Sequence, residues 1–155
     1  MGLGVSLLFC QCKNAETLHP PFQIYAIRLH PGQDVLLELK NFISEKNISA
    51  GFILSAVGSL TQYNIRFANQ QEGKQETGHF EVVSLTGLLS VKGSHIHISV
   101  SDSVGHTIGG HLLGNNLVFT TLELVIGEDQ GHIFDRETDA TFGYKELVVK
   151  EKNGL

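Results

Sequence analysis

The chain has 155 residues, of which 41% are hydrophobic and 17% are charged, and its formal net charge is −5. This length and composition are typical of one globular domain with a hydrophobic core, and they exclude a disordered chain. The negative charge excludes a DNA-binding surface built from bulk positive charge, although a local basic patch is compatible with it. The eight histidines are unusual beside only eleven lysines and arginines.

Residues 1–20 are predicted to be an N-terminal extension. Gly2 followed by Ser6 matches the N-myristoylation pattern, and Cys10 and Cys12 are sites where palmitate would supply a second anchor. The alternative is an inert leader, which is favoured because the pattern is short and often matched by chance. The two cysteines are too close for a good disulfide, which indicates a reducing compartment. No apolar run is long enough to span a membrane, so the expected location is cytoplasmic or otherwise intracellular, with anchoring through Gly2 as the weaker alternative.

The first elements follow from hydrophobic periodicity. Residues 22–29 alternate and predict a strand. Asp34 is a suitable cap for a helix over residues 35–46, in which hydrophobic side chains recur at helical spacing. Two strands are predicted next, over residues 51–60 and 63–68, with a bend between them.

Five more strands are predicted in the rest of the chain. They cover residues 80–89, 94–101, 110–113, 117–126 and 142–150. Two polar segments, residues 69–77 and 127–140, are predicted to be loops. Most connections are too short for parallel crossovers, so the predicted fold class is α+β, a largely antiparallel sheet with one or two flanking helices. The domain is assigned to residues 21–150, and residues 151–155 are predicted to be a C-terminal tail.

The strand at residues 94–101 shows clean period-two alternation, which places His95 and His97 together on its polar face. Their Cα atoms would be roughly 6.5–7 Å apart, close enough for two imidazoles to share one ion. If the following hairpin is centred near Val104, His97 faces His111, and directly opposite side chains share one face of a sheet. Three imidazoles would then converge on one polar patch.

Three nitrogen ligands with a vacant position are typical of a catalytic or exchangeable zinc site. Imidazole also suits iron, nickel and copper, so the identity of the metal stays open. The alternative interpretation is a polar strand face whose solvated histidines bond to neighbours. His106, at the turn, is expected to be exposed rather than a ligand.

Two carboxylates are candidates for orienting a histidine by hydrogen bonding. Glu123 lies in an apolar strand, where it could hold a tautomer, act as a general base, face solvent or pair at a subunit contact. Asp102 has the same ambiguity but fits a turn residue. Arg28 and Arg66 could each bind an anion, although surface ion pairing is the simpler role. No nucleotide loop or nucleophile motif is convincing, so no catalytic residue is assigned.

Several segments together resemble the PPC domain (plants and prokaryotes conserved domain, also called DUF296). They are residues 78–87, 95–97, 101–102 and 109–112, with residues 51–60 fitting an opening element. The resemblance runs from about residue 22 to residue 150. The combination is specific, whereas any single piece is not.

The resemblance implies an α+β fold, a homotrimer and, at His95, His97 and His111, the ligands of a divalent metal, with zinc expected first. Plant members join this domain to AT-hook segments and bind DNA, but no Arg-Gly pair occurs in this chain. The chain therefore resembles a stand-alone prokaryotic-type member without an AT-hook, a group with no settled activity. The leading hypothesis is a trimeric metal-binding protein. The alternatives are a regulatory module that binds DNA or protein, a metal-dependent enzyme for a small-molecule ligand, and a metal that only joins the trimer.

Overall fold

The computed structural model describes residues 22–152, which form one α-helix and eight β-strands. In chain order they are β1 (Phe22–Leu29), α1 (Val35–Lys46), β2 (Gly51–Arg66), β3 (Lys74–Leu89), β4 (His95–Ser101), β5 (Thr107–Leu112), β6 (Leu117–Asp129), β7 (His132–Thr138) and β8 (Lys145–Glu151). Mostly antiparallel strands with a single helix confirm the predicted α+β class.

Six strands make one antiparallel sheet in the order β1-β6-β2-β3-β4-β5, and β7 pairs with β8 in a separate two-stranded sheet. The end of β2 also pairs with β5, so that β2, β3, β4 and β5 close into a ring. The ring encloses part of the hydrophobic core, including the buried side chains of Ile65, Ile98 and Leu112. The polar groups of β4 and β5 consequently lie on the outside of this ring.

The helix α1 has the predicted bounds and the predicted cap. The Asp34 carboxylate accepts a hydrogen bond from Leu37 N at 2.8 Å, as expected of an N-cap, and Asn47 ends the helix in the left-handed conformation. The second carboxylate oxygen of Asp34 accepts from Asn116 N at 3.0 Å. One carboxylate therefore fixes both the start of α1 and the turn that follows β5.

Three predictions about the strands are wrong. Residues 51–66 form one strand, β2, in place of the two strands predicted over 51–60 and 63–68, because the bend is absorbed by irregular register between Leu60 and Gln62 rather than by a break. The predicted loop 69–77 ends early, where β3 begins at Lys74. The predicted loop 127–140 contains β7, in which the apolar Ile133 and Phe134 are adjacent and both half-buried, so that no alternation is present for periodicity to detect.

Predictions that concern the N-terminal extension lie outside the described residues. They are myristoylation at Gly2 and the roles of Cys10 and Cys12, which stay predictions. The division of the chain into residues 1–20, 21–150 and 151–155 also stays a prediction. Among the described residues, no helix has the length and apolar character needed to cross a membrane.

Candidate metal centre

The alternation of β4 places its histidines and its core residues on opposite faces. Ile96, Ile98 and Val100 are buried, with at most 4% of their surface exposed. His95 and His97 point the other way and are exposed. Burial of the three aliphatic side chains fixes which face of β4 is polar, because a slip of one residue would bury the imidazoles instead.

The β4–β5 register brings the third histidine to the first two. His97 pairs directly with His111, as the hairpin geometry predicts. The Asp102 carboxylate accepts hydrogen bonds from Val104 N at 3.0 Å and from His106 N at 2.9 Å, which fixes the turn between the strands. A turn held in this way sets the register of the whole hairpin.

Three ring nitrogens form a nearly equilateral triangle. His95 Nε2 lies 3.1 Å from His97 Nε2, and each of these atoms lies 3.2 Å from His111 Nδ1. Nitrogen ligands about 2.05 Å from a tetrahedral ion are about 3.3 Å apart, close to the edges of this triangle. A triangle of nitrogens cannot satisfy itself by linear hydrogen bonds along all three edges. A single cation satisfies all three lone pairs, so the donor set fits a metal ion.

The electrostatic surroundings favour neutral imidazoles, the form that binds metals. Desolvation lowers the pKa of His95 below its usual value, helped by the charges of His97 and Arg136. Desolvation also lowers the pKa of His111, and the Arg66 guanidinium adds to the shift.

A groove of about 600 Å³ opens beside the triangle. His95 and His111 lie on its wall, together with Arg66, which is the register partner of His111 on β2. The loop after β2 contributes a second part of the wall, and the start of β8 contributes a third. The remaining lining residues are Ala68, Asn69, Gln70, Gln71, Tyr144, Lys145 and Glu146.

The structure does not bring the two candidate carboxylates to the triangle. Asp102 fixes the β4–β5 turn. It lies five residues after His97 (97 to 102), which is roughly 16 Å along an extended strand. Glu123 pairs in register with Arg28 of β1 and Val57 in the first half of β2, whereas His111 pairs at the last residue of β2.

The other candidate side chains have separate roles. His106 is at the turn with 84% of its side chain exposed, as expected. Arg28 Nε donates to Thr121 Oγ1 at 2.9 Å. The sequence did not predict the groove residues of β8, because residues 127–140 were predicted to be a loop and the β7–β8 hairpin was therefore not recognised. It also gave no partner for His132, whose Nδ1 lies 2.7 Å from Asp129 Oδ2.

Comparison with known proteins identifies the family. The profile of the Plants and Prokaryotes Conserved (PCC) domain matches residues 17–130. The chain belongs to this family, which is the plants and prokaryotes conserved family that the sequence resembles and that is also abbreviated PPC. A curated PCC relative, the bifunctional protein GlmU of Synechococcus sp. (strain JA-3-3Ab), is 40% identical over 129 residues, which are 83% of this chain and 21% of that protein. The chain spans about a fifth of the length of the GlmU relatives that it matches.

Solved structures share the PCC fold. A hypothetical protein from Salmonella enterica superposes with a TM-score of 0.84 and 41% identity, covering 86% of this chain and 96% of that one. A metal-containing protein from Archaeoglobus fulgidus superposes with a TM-score of 0.70 and 28% identity, covering 81% of this chain and 93% of that one. A candidate DNA-binding protein from Bacteroides thetaiotaomicron superposes with a TM-score of 0.71 and 25% identity, covering 81% of this chain and 91% of that one.

Proposed function

We propose that this PCC protein is a homotrimer in which each chain holds one divalent metal ion, zinc in first place, through its own His95, His97 and His111. The observation that carries the proposal is the triangle of ring nitrogens with edges of 3.1–3.2 Å. A similar fold in a metal-containing protein of Archaeoglobus fulgidus supports it.

The donor set favours zinc over hard cations, because calcium and magnesium prefer oxygen ligands. Iron, nickel and copper also accept imidazole, so metal analysis has to decide among them. Three protein ligands leave one coordination position for water or a small molecule, and the groove gives access to it. This arrangement suits a metal-dependent enzyme for a small-molecule substrate, with the ion polarising the substrate or activating water.

Metal analysis of protein purified without added metal tests the site. We expect about one equivalent per chain in the unchanged protein and less than a tenth of that in His97→Ala, because two imidazoles bind far more weakly than three. The matched control is His106→Ala, which removes an exposed imidazole from the turn of the same hairpin. Equal metal content in His97→Ala and His106→Ala would refute the assignment.

The proposed trimer has a candidate contact surface on the face of β1, β6 and β2 that α1 does not cover. Phe22, Ile24 and Val57 lie there, and each is more than half exposed. The opposite face of β1 packs on the core, where the rings of Tyr25 and Phe42 meet edge to face at 5.3 Å. Exposed apolar side chains in a sheet face are typical of a subunit contact. We therefore assign this face to contacts between copies of the chain.

Size-exclusion chromatography with light scattering tests the assembly. We expect the mass of three chains for the unchanged protein and of one chain for Val57→Lys, because burying an ammonium at the contact opposes association even beside Glu123, the register partner of Val57. Val104→Lys is the control, since Val104 is 74% exposed at the β4–β5 turn, away from this face. A trimer that survives Val57→Lys contradicts the assigned surface. Monomeric unchanged protein contradicts the trimer itself, and dissociation by a chelator would show that the metal joins the subunits.

A regulatory or DNA-binding module is the second candidate, favoured by the similar fold of the candidate DNA-binding protein from Bacteroides thetaiotaomicron. The net charge of −5 counts against it, because duplex binding depends on neutralising phosphates. A gel-shift assay at low salt tests whether the protein binds duplex DNA. A shifted duplex that persists in His97→Ala would favour this second candidate over the metal-site proposal.

A further inference from the structure

Part of the groove lining comes from outside the family-matched region. The PCC profile ends at residue 130, before β7 begins. Tyr144, Lys145 and Glu146, at and just before the start of β8, nevertheless line the same groove as His95 and His111. The histidine triangle therefore belongs to the family-matched sheet, and another part of the groove lining belongs to the β7–β8 hairpin.

This groove carries an excess of positive charge even without a metal. Arg66 and Lys145 both line it, and Lys145 forms no salt bridge within residues 22–152. Arg136 of β7 lies close enough to His95 for its charge to lower the pKa of that imidazole. Glu146 is the single carboxylate among the lining residues and opposes this effect. Two lining cations, one lining carboxylate and a divalent ion would leave the occupied groove positive.

The cations differ in the chemistry that they offer. Arg66 donates from Nη1 to the carbonyl oxygen of Gln70 at 3.1 Å, which fixes its guanidinium and leaves further donors for a ligand. A guanidinium matches the paired oxygens of carboxylate and phosphate groups. Lys145 adds a mobile ammonium, and the Tyr144 hydroxyl adds a neutral donor. A groove with an excess of positive charge in its lining concentrates ligands of negative charge.

Resting on the proposed metal site, we infer that the groove binds a small oxyanion, a carboxylate or phosphate group, as the fourth ligand of the metal. One oxygen would bind the ion while others accept hydrogen bonds from Arg66 and Lys145. The β7–β8 hairpin then determines ligand specificity, because it supplies Lys145 and the counteracting Glu146 to the lining of the groove. Neutral ligands of the same size would gain the bond to the metal but not the charge-assisted hydrogen bonds.

Full-length protein loaded with one equivalent of Co²⁺ provides the test. Zinc is spectroscopically silent, whereas the visible absorption of Co²⁺ reports on an exchange of the fourth ligand. The probes are inorganic phosphate, acetate and, as a neutral ligand, imidazole, each titrated while the spectrum is followed. The variants are Lys145→Gln and Arg66→Gln. The matched control is Lys40→Gln, which removes an exposed lysine of α1 that lines a different groove.

We expect phosphate or acetate to change the Co²⁺ spectrum and to bind about tenfold more weakly to Lys145→Gln and to Arg66→Gln. Lys40→Gln should bind the oxyanions as the unchanged protein does, and imidazole should bind all four proteins alike. Lys145 is exposed, so Lys145→Gln remains informative if Arg66→Gln does not fold. Phosphate binding without acetate binding, or the reverse, identifies the class of oxyanion.

Two failures are distinguishable. If the unchanged protein takes up Co²⁺ but neither oxyanion changes its spectrum, or if Lys145→Gln binds the oxyanions unchanged, the oxyanion inference is overturned and the metal site stands. If the protein takes up neither Co²⁺ nor Zn²⁺, the proposed metal function fails and the oxyanion inference fails with it.

Discussion

Two hairpins of similar length, β4–β5 and β7–β8, both line the groove, and they are held in place in different ways. Strand β4 buries every second side chain in the main core, including Ile98 with 1% of its surface exposed. No residue of β7 or β8 is buried to that degree. The β4–β5 hairpin is therefore fixed by hydrophobic packing, whereas the β7–β8 hairpin has no comparable core of its own.

Polar contacts take the place of a core in the β7–β8 hairpin. Lys150 bonds to Asp135 at 2.7 Å and to Glu137 at 2.8 Å across the two strands. The hairpin is attached to the main domain through Ser49, whose carbonyl accepts from Phe134 N at 2.8 Å and whose hydroxyl donates to the His132 carbonyl at 3.2 Å. Regions with few buried apolar contacts open locally at lower free energy. The histidine triangle therefore lies on the better-packed hairpin, and the proposed specificity residues lie on the hairpin that opens more easily.

The largest expected difference between the hairpins is in the stability lost when a side chain is shortened. Ile98→Ala should lower the free energy of unfolding by about 2–5 kcal/mol, because it leaves a cavity in the closed ring. Val149→Ala, at a half-exposed position of β8, should lower it by about 0.5 kcal/mol or less. Urea denaturation of both variants measures the difference. Equal losses would show that β7–β8 shares the main core after all.

A backbone contact behind the triangle provides the next test. A Cβ added at Gly110 would lie 2.5 Å from the Arg66 carbonyl oxygen, so Gly110→Ala must push β5 away from β2. We expect a loss of about 1–3 kcal/mol in the free energy of unfolding, together with weaker metal binding. Gly114→Ala is the control, because its Cβ would meet no atom within 4 Å. Unchanged stability and metal affinity in Gly110→Ala would refute the idea that β2–β5 closure positions His111.

The smallest effect is expected in the ion pairs of β7–β8. Lys150→Gln removes both cross-strand contacts, but exposed pairs contribute little and are screened by salt. Hydrogen exchange should therefore show slightly faster exchange of β7 and β8 amides at low salt and no difference at about 0.5 M NaCl. Exchange in β4 and β5 should not change at either salt concentration. An effect that spreads to β4 would mean that the two hairpins are coupled.

The sequence predicted α1 because its cap and its hydrophobic spacing lie within one short segment, and the bounds of the helix are confirmed. It predicted the pairing of His97 with His111 because a short turn dictates which residues of a hairpin face each other. It failed for β7, where Ile133 and Phe134 are adjacent and both half-buried, so that no period of two is present.

The sequence by itself determined that three imidazoles share one face, since strand alternation and hairpin register are local consequences of backbone geometry. Only the tertiary structure decided what surrounds them. Arg66 reaches His111 through pairing between β2 and β5, and Lys145 reaches the groove through a hairpin attached at Ser49. These neighbours are far apart in the chain, so their positions depend on how the complete core packs and cannot be predicted from local periodicity.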